Sequence, residues 1–522
     1  GDITLRDVTA GSLNVANQGL TAGSGIVLAG ALSLSGNLTT ASANGNLTQS
    51  GALEVNGTTG ITAGSNNITL DNAGNDFTGA VSVVSGNNVS LRDADAMVLG
   101  ASTVSGNLTL QTIGALTQSG ALNVTGTTGI TAGTSDVTLN NTSNNFNGAV
   151  TISSGRAVTL VDMNAMTLGG ITATGIVDTA TLSGDLTVTQ NISTTDTTSG
   201  AVVLNAGRNT AAGTAAGGNI VISGSPTIST GANGRATLYT GSVSGSTGVT
   251  TLIGSGTGRF RYNSDEAVLN FSAALLTGSY AVYREQPAIT VTPDSGQSVT
   301  YGTTPSITYS LSGFVNGDSS GTTAGAASWT IGGATSSSGN YVVGVHDVSY
   351  STGLTSTLGY GFTNDAASTN ELTITQKAMV ISGITASNKI YDGNTNVSVS
   401  TATAVYTGWE EGDTISVSAT GSFSDKNVGT GKPVTLVSSY SGVDAGNYSI
   451  TDQALTTADI TRKAMTISGI TADNKVYNGN TMATVHTDAA VYTGLVLGDT
   501  VSVTAAGTFS DKNVGTGKTV NL

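Results

Sequence analysis

Leu47-Thr-Gln-Ser-Gly-Ala-Leu53 returns letter for letter as Leu116-Thr-Gln-Ser-Gly-Ala-Leu122, 69 residues on. The same shift carries residues 58–64 onto 127–133, Phe77 onto Phe146, Val81 onto Val150 and Met97 onto Met166, so a whole unit recurs. Inside the unit, apolar residues alternate with Thr, Ser and Asn in short runs that begin near Val81, Val89, Val98, Leu108, Leu116, Leu122, Ile130 and Val137. Period-two alternation is the pattern of a strand with one face buried. With one further weak run the unit reads as nine strands, hence three coils of roughly 23 residues, the dimensions of a triangular, right-handed parallel β-helix. Val, Leu and Ile then point inward, Thr, Ser and Asn form ladders outside, and Gly and Asn make the corners. The pattern continues less regularly through Leu186-Thr-Val188 and Ile220-Val-Ile222 to about Ile253. About eleven coils stacked ~4.8 Å apart predict a solenoid on the order of 50 Å long.

The solenoid text ends at Arg259-Phe-Arg-Tyr262, followed by Tyr280, Tyr283 and Arg284 before Pro287. A solenoid end exposes unpaired strand edges, so this aromatic and Arg cluster reads as a cap, with a sugar-stacking patch as the alternative. Residues 287–376 read as one small β-sandwich-like domain, marked by Tyr301-Gly302, Phe314-Val-Asn-Gly-Asp318 and Asn340-Tyr341. A second repeat starts at Lys377: Lys377-Ala-Met379 returns as Lys463-Ala-Met465, Tyr391 as Tyr477, and 423–432 as 509–518, each 86 residues on. The expected organisation is a solenoid with its cap over 1–286, a β domain over 287–376, and two repeats over 377–462 and 463–522. The second repeat stops at Leu522, the equivalent of Leu436, and no signal-peptide pattern opens the chain at Gly1, so an interior piece of a longer polypeptide is expected.

Composition narrows the function. Only 9% of residues are charged, the formal net charge is −15, and the pI is near 4.3. That balance opposes nucleic acid and anionic membranes, which bind through clustered Lys and Arg. With 38% hydrophobic residues and a mean hydropathy of +0.11 the chain can bury a core, and with no Cys that core must supply the stability that disulfides give other secreted proteins. Gly at 72 residues and Pro at 5 suit many short strands and tight turns.

These motifs resemble known ones. Through its Gly-Asn-Asp-Phe77 corners and Ser-Gly-Asn-Leu-Thr coils, the solenoid text resembles the stalk of filamentous-haemagglutinin-like adhesins, exoproteins of two-partner secretion. Residues 288–376 resemble their glycine-rich, mostly-β (MBG-like) modules. Residues 377–522 resemble the YDG repeat through Lys389-Ile-Tyr-Asp-Gly-Asn394, Gly412-Asp413, residues 423–431 and Asp444-Ala-Gly-Asn-Tyr448. The resemblance implies export through a dedicated outer-membrane pore, a Gram-negative cell surface or biofilm matrix, and adhesion to exopolysaccharide or cell-surface glycans. A stalk that delivers a downstream toxin is a further reading, and the scarcity of charge also favours rods packing side by side.

The search for chemistry yields weak candidates. A β-helix enzyme cleaving polysaccharide needs paired carboxylates on one face, and Arg92-Asp-Ala-Asp95 is the best such group. Its counterpart Val161-Asp-Met-Asn164 keeps Asp93 as Asp162 but loses Arg92 and Asp95, which fits a corner Asp that caps backbone N–H groups. Two His, His346 and His486, with no Cys give no zinc spacing, and His486 stands where the first repeat has Ser400. No Ser lies in a nucleophile-elbow context. Asp392, Asp413, Asp425 and Asp444 recur in Gly-rich turns that would suit calcium, although Asp392 becomes Asn478 in the second repeat and Asp425 adjoins Lys426. Asn46, Asn67, Asn88 and Asn107 open Asn-x-Thr or Asn-x-Ser sequons. Trp329 and Trp409 are the only tryptophans; Trp409 reads first as a core or inter-domain contact, while an exposed Trp409 would suit a sugar ring. The expectation is no enzyme, no catalytic, cofactor-binding or metal residues, and no cofactor apart from the calcium alternative.

Overall fold

The structure is a computed structural model that describes residues 1–18 and 21–522. Its residues gather into two compact units: 1–292 with 309–329 and 350–366, and 293–308 with 330–349 and 367–522. Nearly all regular structure is β, and the one α-helical turn among the described residues is Val249–Ile253.

In the first unit the chain winds as a parallel β-solenoid, as its alternation predicts. Eleven strands from Ile3–Leu5 to Ile220–Ile222 follow one another along one face, which with side pairings forms a 13-stranded sheet. A second 13-stranded sheet runs from Leu13–Ala16 to Gly278–Tyr283, with Phe260–Arg261 at its edge. Two shorter sheets complete the coils: a four-stranded one from Val8–Ala10 to Asp76–Phe77, and a three-stranded one from Ser102–Val104 to Asn145–Phe146. Pairing is in register. Ile26, Leu47, Ile68, Val89 and Leu108 stack inward in one column, while Val27, Thr48, Thr69, Ser90 and Thr109 form the adjoining outward column. The inward residues join one continuous hydrophobic cluster along the solenoid.

The 69-residue unit holds ten strands, not nine: Val81–Ser85 to Asn145–Phe146 includes the short Ser102–Val104 and Asn145–Phe146. Ten strands on three faces make one face more than three complete coils. Equivalent motifs therefore land on different faces: Leu47–Gln49 belongs to the first sheet, Leu116–Gln118 to the second. The extra strand arises where Val81 pairs with Leu99 while Gly86, just beyond the same strand, pairs with Val104, so one strand is covered by two. The counterpart Val150–Ser154 is covered by Met166–Ala173, with a register break between Val150 and Ile152.

Corner glycines are there for room more than for left-handed backbone. Gly57 and Gly79 have ordinary φ, yet a Cβ on Gly79 would lie 2.3 Å from the carbonyl oxygen of Gly57 in the coil below. Any larger residue would push successive coils apart.

The exact repeat also encodes a buried polar corner. The Asn75 carboxamide oxygen accepts from Leu53 N–H (3.0 Å) and Gln49 Nε2 (2.7 Å), and its Nδ2 donates to Gln49 Oε1 (2.9 Å) and the Leu70 carbonyl (3.1 Å). Gln118 and Asn144 reproduce this pair with Leu122 and Leu139. Both Asn side chains are fully buried, so their bonding groups have no water to turn to. Asn144→Ala should cost about 3 kcal/mol by leaving Gln118 and Leu122 N–H unpaired, whereas Thr109→Ala on the outer column should stay within about 0.5 kcal/mol. Urea unfolding of both variants followed by circular dichroism makes the comparison.

Candidate functional site

Of the Arg92-Asp-Ala-Asp95 group, only Arg92 reaches the outer face beside a groove. Asp93 points inward and is fully buried. Its Oδ2 accepts from Phe77 N–H at 3.3 Å and its Oδ1 from Asp95 N–H at 3.1 Å. Asp162 does the same for Phe146 (2.7 Å) and Asn164 (2.9 Å). Burial pushes both carboxyls up to about 6 against these N–H donors, which pull the other way. Both aspartates hold the corner where one face of the solenoid ends, and Asp93 has no open path to a bound polymer. The structure thus separates the two carboxylates that a glycosidic cleavage would need on one side of a sugar bond.

Arg92, Gln111 and Thr131 stand in one column on successive coils, with Arg92 paired to Gln111 and Gln111 to Thr131 in register. Together with Thr112, Ile113, Gly133 and Thr134 they line a groove of about 380 Å³. Ile113 is 63% exposed at its edge. Gly133, with φ of +57° and nothing crowding its missing side chain, turns the chain outward to form one wall. The equivalents of Arg92 and Gln111 one repeat later are Val161 and Ala180, so this polar column occurs once. A guanidinium, an amide and a hydroxyl spaced one per ~4.8 Å coil offer a hydrogen-bonding strip with an apolar rim. The sequence offered Arg92 only as part of the Arg92-Asp-Ala-Asp95 group; Gln111 and Thr131 became visible only through the register.

The aromatic and Arg cluster after Gly258 is interior. Phe260, Tyr262, Tyr283 and Arg284 are fully buried, and Tyr262 stacks on Tyr283 at 5.6 Å. Arg284 donates to the carbonyls of Ala216 and Gly218, and Arg261 to those of Gly258, Phe260, Ala273 and Ala274. Carbonyl oxygens thus satisfy the Arg261 guanidinium, whereas Arg284 keeps a buried Nη1 without a partner, and burial lowers the pKa of both. This is the chemistry of a cover over strand ends, with no ring face left for a sugar. Trp329 packs between Tyr309 (5.3 Å) and Tyr350 (6.1 Å), whereas Trp409 is 42% exposed.

In the second unit the four turn aspartates do not converge on one point. Asp392 pairs with Lys389 and accepts from Asn394 N–H, and Asp425 pairs with Lys432 at 2.7 Å. Asp413 accepts from the hydroxyls of Tyr301 and Tyr448, and Asp444 from Ser337 and Thr414 N–H. No group of three or more His, Asp or Glu among the described residues could hold a metal ion. In the second repeat Asn478 also bonds Asn480 N–H, so this turn needs an oxygen and not a charge. Buried His346 lies 2.7 and 2.8 Å from the carbonyl oxygens of Gly332 and Val342, and exposed His486 pairs with Asp473, which raises its pKa. Asn46, Asn67, Asn88 and Asn107 form a ladder along one corner, each side-chain oxygen accepting from the backbone N–H one coil on.

The buried aspartates give a pH signature. Their folded pKa lies above the unfolded value, so the native state binds the extra protons between about pH 4 and 6 and loses stability as pH rises through that window. Each shift from 3.8 to about 6 corresponds to roughly 3 kcal/mol, fully lost above pH 6. The Asp93→Asn/Asp162→Asn variant should therefore show a flatter fall in unfolding free energy from pH 4 to 7 than the parent chain. Identical slopes in the two proteins would refute the assignment.

Comparison with known proteins matches two parts of the chain. A family described as repeats of unknown function, DUF5649, matches residues 20–84 and 86–153. The YDG domain family matches residues 375–457 and 461–522. No curated protein and no solved structure matches the chain. Solenoid repeats followed by two YDG-like modules fit an adhesin-like repeat protein.

Proposed function

We propose that this chain is a non-catalytic segment of an extracellular adhesin that reaches the Gram-negative cell surface through a two-partner outer-membrane pore. There it holds cells or biofilm matrix together by binding exopolysaccharide or neighbouring-cell glycans. The observation that carries this reading is the repetition of outward polar columns coil after coil, Thr48 over Thr69 over Ser90 over Thr109. Weak sites multiplied along a rigid support act by avidity, because each bound contact holds the next at high local concentration. Few charges oppose the approach of a neutral polymer or of a second solenoid alongside.

Within that surface the Arg92–Gln111–Thr131 groove is the strongest single contact, and exposed Trp409 offers a ring for stacking. Purified chain should be retained on immobilised exopolysaccharide while polymer length stays constant. The Arg92→Ala/Gln111→Ala variant should elute several-fold more easily. Shortening of the polymer would overturn the reading in favour of an enzyme, and no retention at all would remove glycans as the partner.

A further inference from the structure

The tyrosine of the YDG motif does not serve its own module. Tyr391 donates its hydroxyl to Asp499 Oδ1 at 2.9 Å, and Asp499 sits in the Gly498-Asp499 turn of the following module. One junction earlier Tyr301 donates to Asp413 Oδ2 at 2.6 Å, and Gly412-Asp413 is the same turn 86 residues before. The backbone repeats as well. Tyr301 N–H donates to Thr375 O and Tyr391 N–H to Thr461 O, each Thr closing the last strand before the next module. Both tyrosines thus follow strands that run parallel to the strand leading out, Gln297–Thr300 on Leu372–Thr375 and Lys389–Ile390 on Leu455–Thr461.

The glycine completes the contact. Gly302 and Gly393 have φ of +81° and +84°. A Cβ on Gly302 would lie 2.3 Å from Glu410 Oε1, and one on Gly393 would lie 2.7 Å from Val496 Cγ1. Glu410 and Val496 are the same position of successive repeats. Lys389 meanwhile clamps the turn from within its own module, donating to Asn394 and Asn396 carbonyls, and Lys475 does likewise to Asn480 and Met482. Lys and Asn build the turn; Tyr and Gly are left to face outward.

We propose that the Tyr and Gly of this motif form a module-docking site whose partner is the Gly-Asp turn of the next β-module in line. Tyrosine supplies a directional donor, aspartate an acceptor that closes the joint, and glycine lets the two backbones approach. The same tyrosine and glycine recur in the second YDG module as Tyr477 and Gly479. Lys426 adds a second contact to Asp499 at 3.3 Å, a surface ion pair of small worth.

The test uses the full chain, which has no Cys to interfere with labelling. Spin labels at Ser418→Cys and Thr484→Cys, both exposed and on successive modules, report the distance across the second junction. A narrow distribution is expected in the parent, with loss of the narrow peak in Tyr391→Phe and equally in Asp499→Asn. The double variant should broaden no further than either single one, because both remove the same bond. Asp452→Asn, outside the junction, should leave the peak intact. Circular dichroism confirms that the modules stay folded in each variant. A broad parental distribution, or a narrow peak that survives both substitutions, would overturn the proposal.

Discussion

Parallel, in-register hydrogen bonding between coils constrains everything else in the solenoid. Once Ile68 lies over Leu47 and under Val89, each position of a coil is tied to the chemistry of the positions above and below it, ~4.8 Å away. Inward columns are mostly apolar and the adjoining outward ones mostly polar, as Leu47 and Thr48 show. Corners tighten the rule, since the Gly57 and Gly79 backbones come close enough to exclude a Cβ. Gln49 with Asn75 enters the interior as a reciprocal amide pair, whereas Thr59 and Thr128 stand in inward columns with their hydroxyls unpaired.

Charge is admitted to the interior on stricter terms. Asp93 and Asp162 sit where one face ends and leave Phe77 and Phe146 N–H without a strand partner, so a carboxylate replaces the missing carbonyls. At the far end Arg261 and Arg284 meet the opposite problem, donating to the carbonyl oxygens of Ala273 and Gly218 among others. The signs are complementary: an anion where N–H groups are orphaned, cations where C=O groups are. Backbone dipoles face each of these charges, and Glu266 and Asp265 add their attraction to Arg284.

The stacking principle was legible in the sequence because alternation and the 69-residue shift are both consequences of period-two strands. The strand number was not. Ser102–Val104 carries a polar residue at its inward Ser102, and Asn145–Phe146 has only two residues, so neither shows an apolar alternation. Both are held by register with neighbours that do, a tertiary effect that no local pattern records. The corner role of Asp93 was readable from its retention as Asp162, while the groove beside Arg92 was not, since its residues are 19 to 20 apart and meet only when the coil length is known. Burial of the cap aromatics followed from the need to cover strand edges. Exposure of Trp409 followed from nothing in its neighbours.

The two repeat systems build length by different physics. In the solenoid every coil shares a backbone ladder and a core with the next, so the energy of each interface is spread over many bonds and loss of one partner is felt chiefly at a corner. Between YDG modules four residues, Arg462 to Met465, link the last strand of one, ending at Thr461, to the first strand of the next, starting at Thr466, and the ladder does not cross. Orientation there must come from side chains. One tyrosine hydroxyl on one carboxylate has a direction that a hydrophobic contact lacks, and Val496 beneath Gly393 supplies apolar contact alongside it. That division explains why the motif tolerates Asn478 for Asp392, which only shapes a turn, yet keeps Tyr477 and Gly479, whose counterparts face the neighbouring module.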